Sequence, residues 1–589
     1  MQEVRRTRHD PFRKVRPVSK SENRTIVKLW RDAVSANRSG TAYLAETEPG
    51  QWREVSWNEA AHTVDELANG LLFRGIRKGD AFGIVSRTRL EWTLFDFALA
   101  LVGAITAPVY PDSSPGEAAH VLRHSEAVGA LVEDDGQVAK IEPLELQHVL
   151  TLQDLDDLRA DGIAFAQAHP GALDQAAAAV GENDLYTYIY TSGTTGPPKG
   201  CMIRHRNYYA MASSIEGIED LGLGEDVMLL YLPLAHNFGR LMTLWGAYSG
   251  FTIAFCSDPY AVADALPLVR PTLLPSVPRM YEKAHTTITS KLEAASGPRR
   301  RLGDWGLGVG RRVSALRQRG EPLPRALALQ HRIADRVVYS KVKQRFGGRL
   351  RIGISGGAPL SKEIGELFHA LDMLILEGWG LTECTTAATV NRPRRFRFGT
   401  VGPAMPGVEV ATDNDGELLI RSETIFAGYL KDEEATRAVL TDEGWLRSGD
   451  VGEIDPDGFV TITDRKKDII VTAGGKNVGP QNIENSLKAS RYVSQALVVG
   501  DRRPYVTALI TLDEAEVTST DVIGEVQTLV QQVVDDVNSE LSRYEQVKRF
   551  AIVSREFSSE QGEVTPTLKL KRRVIEERFA DEIEKLYAD

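Results

Sequence analysis

The chain has 589 residues, a formal net charge of -11 at pH 7, 42% hydrophobic and 26% charged residues. That length exceeds one ordinary hydrophobic core, so several subdomains are expected. An acidic balance with no long basic tract excludes nucleic acid as the main partner, whose affinity rests on neutralising phosphates. Three cysteines, Cys201, Cys256 and Cys384, are odd in number and widely spaced, which fits a reducing, cytoplasmic compartment rather than a disulfide scaffold.

The first residues carry Arg5, Arg6, Arg8, Arg13, Lys14 and Arg16 with no apolar run behind them. This excludes a recognisable secretory signal and leaves a basic tail, with weak attraction to acidic lipid headgroups at the inner membrane surface as the alternative. Apolar spacing predicts helices over 57–74 and 91–107 around a strand over 81–85, the alternation of an α/β fold. The run 97–107 stops at Pro108, short of the ~20 residues that a membrane span needs, and reads as a buried helix. His120 and His124 stand at i and i+4, as metal ligands can on a helix, but no third ligand accompanies them. They are expected on a solvated helix.

An aromatic and β-branched stretch over 185–190 reads as a strand. It runs into Thr191-Ser192-Gly193-Thr194-Thr195-Gly196-Pro197-Pro198-Lys199-Gly200. Glycines let backbone N–H groups approach phosphate oxygens, and the hydroxyls add donors. Lys199 is followed by Gly200 and Cys201, so this is not the Gly-Lys-Ser/Thr ending of a P-loop NTPase. His236 follows Leu234 and Ala235. A basic interval over 283–351 interleaves Arg299, Arg300, Arg301, Arg311, Arg312 and Arg317 with Trp305, Leu307, Val313 and Leu316. Within it, Gly306-Leu307-Gly308-Val309-Gly310 lacks the third glycine of a dinucleotide turn and is expected to be a loop. Gly357 and Ala358 lie in a Gly-Gly-Ala-Pro turn, and Glu377-Gly378-Trp379-Gly380-Leu381-Thr382-Glu383 follows. Glu383 is a hard oxygen donor of the kind Mg²⁺ takes. Asp450, after Gly449, is suited to accept ribose hydroxyl protons. Asp455-Pro456-Asp457-Gly458 reads as a hairpin turn, ahead of Arg465-Lys466-Lys467. Further strands are expected over 496–500 and 506–510, and a helix over 521–541. The chain closes on a segment carrying Lys569 and Lys571, which share a face if it is extended.

Taken together, these segments resemble the adenylate-forming superfamily, which contains acyl-CoA synthetases, luciferases and nonribosomal adenylation domains, and the resemblance covers nearly the whole chain. It implies an α/β fold with a large multi-subdomain N-terminal domain over 1–463 and a small mobile α+β C-terminal domain over 464–589. It implies that Thr191, Ser192, Gly193, Thr194, Thr195, Gly196 and Lys199 meet the ATP phosphates, that Gly357, Ala358, Glu377, Gly378, Trp379 and Gly380 meet the nucleotide, and that Thr382 contacts the α-phosphate. His236 would lie near the substrate carboxylate, Glu383 would hold Mg²⁺, and Asp450 and Arg465 would contact the ribose. Lys467 would be the hinge and Lys569 the adenylation lysine, in preference to Lys571. Lys476 belongs to a loop implied to turn toward the site in a second half-reaction. The interval 283–351 and the segment 565–573 resemble the long-chain fatty acyl-CoA synthetase branch. The implied reaction joins a fatty acid to CoA at the expense of ATP, through acyl-AMP. A carrier-protein pantetheine as acceptor, a non-catalytic binding protein on the same fold, and membrane contact by the basic interval remain open alternatives at this stage.

Overall fold

The computed structural model describes residues 23–36, 38–191, 198–517, 523–558, 561–565 and 569–588. The basic N-terminal run and residues Ser192, Gly193, Thr194, Thr195 and Gly196 lie outside them.

Two sheets dominate the larger part. One has six strands in the order His148–Thr151, Ala127–Val132, Ala81–Val85, Ile105–Val109, Leu185–Thr191 and Lys199–Arg204, parallel except for the last pair. The other has eight strands, with Leu374–Trp379, Ile352–Ser355, Leu273–Ser276, Val227–Leu230 and Thr252–Phe255 running parallel through its middle. Strands buried on both faces need continuous apolar runs, and Ala81–Val85 and Ile105–Val109 are buried at every position. The helices His205–Glu216 and Asn237–Ser249 pack on each other and link strand Lys199–Arg204 of the first sheet to strand Thr252–Phe255 of the second. An ion pair is buried there. Arg240, with a wholly buried side chain, pairs with Asp96, which also accepts from Tyr186 Oη at 2.5 Å and from Thr106 Oγ1 at 2.7 Å.

A third, antiparallel sheet contains Val408–Thr412, Glu417–Ser422, Leu446–Ile454 and Val460–Arg465. The expected hairpin turn joins its last two strands at Gly458, whose φ of 83° suits glycine. Its last strand runs through residues 463 and 464, and the chain leaves it at Lys466. The smaller C-terminal part then builds the sheet Val493–Val499, Val506–Leu512 and Val547–Val553. Alternate side chains feed two cores. Ala496, Val498, Ala508 and Ile510 join the helices Pro480–Lys488 and Ile523–Ser539, whereas Leu497, Val499 and Leu509 join Arg572–Arg578 and Ala580–Tyr587.

Three expectations are corrected. The helix expected over 91–107 is Leu90–Val102. Gly103 ends it in the left-handed region at φ 75°, and the strand Ile105–Val109 follows with Pro108 inside it. Residues 306–310 are not a loop but the middle of the helix Gly297–Gln318. A Cβ on Gly310 would lie 2.0 Å from the Ala370 carbonyl, so this glycine permits close packing. His120 and His124 do sit on a helix, Pro115–His124, but they are half-buried rather than solvated.

The parallel strands place the site, because their carboxyl ends leave a crevice where ligands bind in open α/β sheets. Ser276 and Ser355 end their strands side by side, with Glu377 in register beside Ser355. The segments that leave there carry Gly357, Ala358, Thr382 and Glu383.

Candidate active site

The strands Leu185–Thr191 and Lys199–Arg204 that flank the hydroxyl-rich segment pair antiparallel as a hairpin, with Thr191 opposite Lys199. The second strand's other edge is stitched to a crossing segment by Leu430 N donating to Gly200 O at 2.8 Å and Met202 N to Gly428 O at 2.9 Å. This brings Lys199 to Asp432, 3.0 Å away, and over the ring of Tyr429 at 5.3 Å. Tyr429 Oη donates to Glu383 Oε1 at 2.6 Å. Lys199 at the start of the second strand and the Glu383 carboxylate are thereby joined through one tyrosine.

Thr382 and Glu383 stand on a single helical turn, Thr382–Cys384, after strand Leu374–Trp379. Gly380 is obligatory for this bend, because a Cβ would lie 1.9 Å from the Thr386 carbonyl. Thr385 and Thr386 hold φ of 55° and 96°. Non-glycine residues pay for that conformation, and such strain persists where surrounding structure fixes it. Thr386 Oγ1 donates to Asn237 O at 3.2 Å, tying the turn to the start of the Asn237–Ser249 helix.

Asp450 and Arg465 are cross-strand partners in the third sheet. Arg465 Nε donates to Asp450 Oδ1 at 2.9 Å, and Trp379 Nε1 donates to Oδ2 at 2.8 Å. The buried Asp450 is therefore held at both oxygens, which orients it and keeps Trp379 upright beside it. Glu377 accepts from Leu360 N at 3.0 Å. Its burial pushes the carboxyl up to about 8 against that single N–H, so at neutral pH it is mostly protonated. Gly357, at φ 86°, supplies the turn between strand Ile352–Ser355 and Leu360.

His236 caps the Asn237–Ser249 helix, its Nδ1 accepting from Phe238 N at 3.2 Å. An accepting Nδ1 puts the ring proton on Nε2. Burial, and secondarily the charge on Lys569, lower its basicity to about 3, so it serves as a neutral donor.

The C-terminal part adds the cation. Thr565 N donates to Lys569 O at 2.8 Å and Lys569 N donates to Thr565 Oγ1 at 3.0 Å. The Lys569 ammonium is open to solvent inside the cleft yet enclosed by its walls, within electrostatic reach of Arg465, Asp450 and Glu383. Enclosure, then the Arg465 charge, lower it to about 8, so at neutral pH it remains mostly charged. Lys571 instead precedes the helix Arg572–Arg578, its N–H donating to Glu563 O at 2.7 Å.

One cleft of about 4300 Å³ is lined by Thr191, Lys199, His236, Gly357, Ala358, Glu377, Gly378, Trp379, Gly380, Thr382, Glu383, Asp450, Arg465, Lys467 and Lys569. Lys476 is not among its lining residues; it stands on a separate two-stranded hairpin, 5.8 Å from the ring of Tyr544. Sequence reasoning missed Tyr429 and Asp432, which lie 46 and 49 residues from Glu383 in the chain and belong to no phosphate-like motif. The one local signal is Gly428, whose φ of 130° only glycine adopts readily. It also missed the Trp379–Asp450 bond. Chemically, the cleft sets a lysine cation and an arginine against two carboxylates and a neutral imidazole donor, an arrangement suited to neutralising charge that builds on a phosphoryl group and an acid.

Comparison with known proteins gives the same reading. The AMP-binding enzyme model matches residues 30–430, and the AMP-binding enzyme C-terminal domain model matches 467–589. The long-chain-fatty-acid–CoA ligase FadD15 of Mycobacterium tuberculosis is 37% identical over 569 residues, covering 91% of this chain and 93% of that protein. The human long-chain-fatty-acid–CoA ligase ACSBG2 is 28% identical, covering 96% and 92%. In fold, the adenylation domain of a carboxylate reductase from Mycobacterium chelonae superposes with a TM-score of 0.76 at 22% identity over 96% of this chain and 91% of that one. Both the large N-terminal and the smaller C-terminal parts have their counterparts, and the chain belongs to the AMP-binding enzyme family.

Proposed function

We propose that this protein is an AMP-forming long-chain fatty acid–CoA ligase. The observation that carries the chemistry is Lys569, presented by the C-terminal part across the cleft from His236, Glu383, Asp450 and Arg465. The substrate class follows from the 37% identical ligase and from the apolar side chains of Met242, Trp245, Leu266, Ile288, Leu307 and Phe346 that line the same cleft.

In the first half-reaction a carboxylate oxygen of the fatty acid attacks the α-phosphorus of ATP, and the bond to pyrophosphate breaks. Lys569 bridges carboxylate and α-phosphate, with Thr382 as a second donor, and offsets the charge that concentrates there. The neutral Nε2–H of His236 orients the acid. Trp379 and Asp450 hold the adenosine, with Arg465 fixing Asp450, while Thr191 and Lys199 belong to the phosphate hairpin. Among the described residues no group of three or more metal-ligating side chains forms a cage, but one cleft carboxylate suits Mg²⁺, which keeps substrate phosphates and waters in its shell. Glu383 would hold that ion, which would supply further charge neutralisation at the phosphates.

In the second half-reaction the CoA thiolate attacks the acyl carbonyl and AMP leaves. We place the C-terminal unit at 464–589 with Lys467 as hinge, so that rotation acts beyond strand Val460–Arg465 and leaves Arg465 paired with Asp450, a reading supported by the turn that begins where that strand ends. Rotation there would withdraw Lys569 and bring Lys476, now outside the cleft, toward it. One site then runs two chemistries.

Leu329 and Ile333 are exposed apolar side chains on the helix Arg325–Ala334, which also carries exposed Arg325 and Arg332, and this favours peripheral contact with an anionic membrane surface. No described helix is long and apolar enough to cross a membrane. Reversing these arginines should weaken sedimentation with anionic vesicles; unchanged sedimentation rejects that contact.

The decisive assay follows AMP and acyl-thioester formation from ATP, Mg²⁺ and fatty acids of graded length. Acyl-CoA with a long-chain optimum is expected. Acyl-AMP that passes only to a carrier-protein pantetheine would replace CoA as acceptor, and no ATP turnover with any acid would overturn the ligase reading.

A further inference from the structure

His120 and His124 lie outside every role assigned above, yet they touch both described ends of the phosphate hairpin. His120 Nε2 is 2.9 Å from Pro198 O. A proline carbonyl can only accept, so Nε2 carries the proton and donates. His124 Nδ1 is 3.0 Å from Tyr190 Oη. The two imidazoles stack with centroids 5.3 Å apart and meet the Tyr190 ring edge-on at 6.1 and 5.8 Å. Behind that ring stands Gly200, where an added Cβ would lie 3.0 Å from Tyr190 Cζ. Tyr190 is thus clamped between a glycine backbone and two histidines.

The helix that presents them is firmly seated. Ser114 and Glu117 form a reciprocal capping box, Pro115 opens the first turn, and Ala118, Val121 and Leu122 are buried on its inner face. The i, i+4 spacing then puts both rings on the face toward the hairpin. Tyr190 precedes Thr191, and Pro198 precedes Lys199, the paired residues from which the hairpin connection springs.

We propose that His120 and His124, which line the cleft, are positioning residues for ATP: they pin the two ends of the phosphate hairpin and so set the affinity for the triphosphate. This rests on the reading of the hairpin as the triphosphate cradle. A neutral hydrogen bond of this kind is worth ~1 kcal/mol, so losing either anchor should weaken ATP binding by roughly fivefold and losing both by more.

The test measures nucleotide affinity by titration calorimetry and KM for each substrate in the full chain. His120→Leu keeps bulk but no donor, and His120→Gln returns an N–H near the position of Nε2. ATP affinity and KM for ATP should worsen several-fold in His120→Leu and in His124→Leu. Affinity for adenosine and KM for fatty acid and CoA should stay put, and His120→Gln should recover most of the loss. Thr191→Val serves as the control on the cradle. If it weakens ATP while both leucine variants bind ATP normally, the anchoring idea fails and the cradle stands. If Thr191→Val also leaves ATP binding unchanged, the cradle reading itself is wrong. Equal loss of adenosine and ATP affinity, or a glutamine variant no better than leucine, would reduce the histidines to general packing.

Discussion

The two halves of the cleft are held by different kinds of contact. On the N-terminal side, Arg240 and Asp96 are fully desolvated and hydrogen-bonded to Tyr186, Thr187 and Thr106, and Asp450 is fixed at both oxygens. The C-terminal side meets its neighbour through the helix Pro278–Ala294. Arg279 donates to Ser494 O at 2.8 Å and reaches Glu556 at 3.3 Å, Lys488 lies 3.7 Å from Glu282, and Arg491 lies 2.8 Å from Glu293. Most of these charges are partly exposed, and such pairs are worth about 0–1 kcal/mol each. The difference teaches that Asp450 and its neighbours are fixed by burial, while Lys569 rides on a part attached through partly exposed ion pairs.

The hardest way to break the comparison is to unseat the rigid half. Asp96→Ala would leave the Arg240 guanidinium buried without its carboxylate, a loss of about 3–5 kcal/mol. The melting transition should fall by several degrees, with activity lost in parallel. A variant as stable as the parent would mean that Arg240 finds other partners and that the core pair fixes nothing.

Next in size is Lys569→Ala. Removing one preorganised charge from the transition state costs roughly 10²–10³ in rate. Pyrophosphate exchange with ATP should drop by that factor, while thioester formation from supplied acyl-AMP stays within a few-fold. Equal loss in both steps would sink the division of labour between the two halves, and an intact Lys569→Ala beside a dead Lys571→Ala would transfer the role.

A smaller effect sharpens the same point through pH. Lys569 lies near 8 rather than in the usual lysine range near 10.4, so its charge is complete well below pH 8 and is lost as pH rises through that value. The kcat/KM for adenylation, which reports the free enzyme, should therefore turn down near pH 8 and fall tenfold per unit beyond it. In Lys569→Arg the break should leave the accessible range, whereas a break that persists near pH 8 belongs to Glu377, whose buried carboxyl in the same cleft also lies at about 8. His236, lowered to about 3 by burial, adds no limb between pH 5 and 8.

Local chemistry made much of this legible in the chain. A β-branched run before a glycine- and hydroxyl-rich connection gave strand Leu185–Thr191, though not its pairing with Lys199–Arg204, and Asp455 to Gly458 gave the turn of the third sheet. What escaped was decided by distant neighbours. Gly306 and Gly310 look like loop residues until Val338 and Ala370 press against the helix that contains them. The run after Phe97 keeps its apolar character through Gly103, so composition alone could not mark where helix becomes strand. In the cleft, Lys199, Gly357, Thr382, Glu383 and Asp450 were findable beside glycine-containing bends, whereas the roles of His236, Arg465 and Lys569 rested on the resemblance. Tyr429 and the clamp on Tyr190 were not, because they arise where segments far apart in sequence cross. The domain-docking residues of helix Pro278–Ala294 are ordinary surface charges on any reading of the chain.

That docking helix carries the smallest and most discriminating prediction. Arg279→Ala removes two hydrogen bonds to Ser494 and the pairing to Glu556. With the guanidinium partly exposed, the loss is about 0.5–1 kcal/mol, or a two- to fivefold shift between domain poses. The variant should adenylate about threefold more slowly, because the pose that presents Lys569 is less populated. It should pass acyl-AMP to CoA at an unchanged or slightly higher rate, because the same contacts must break before that step. Slowing of both steps alike would show that helix Pro278–Ala294 supports the cleft as a whole, and that the two halves are not held on different terms.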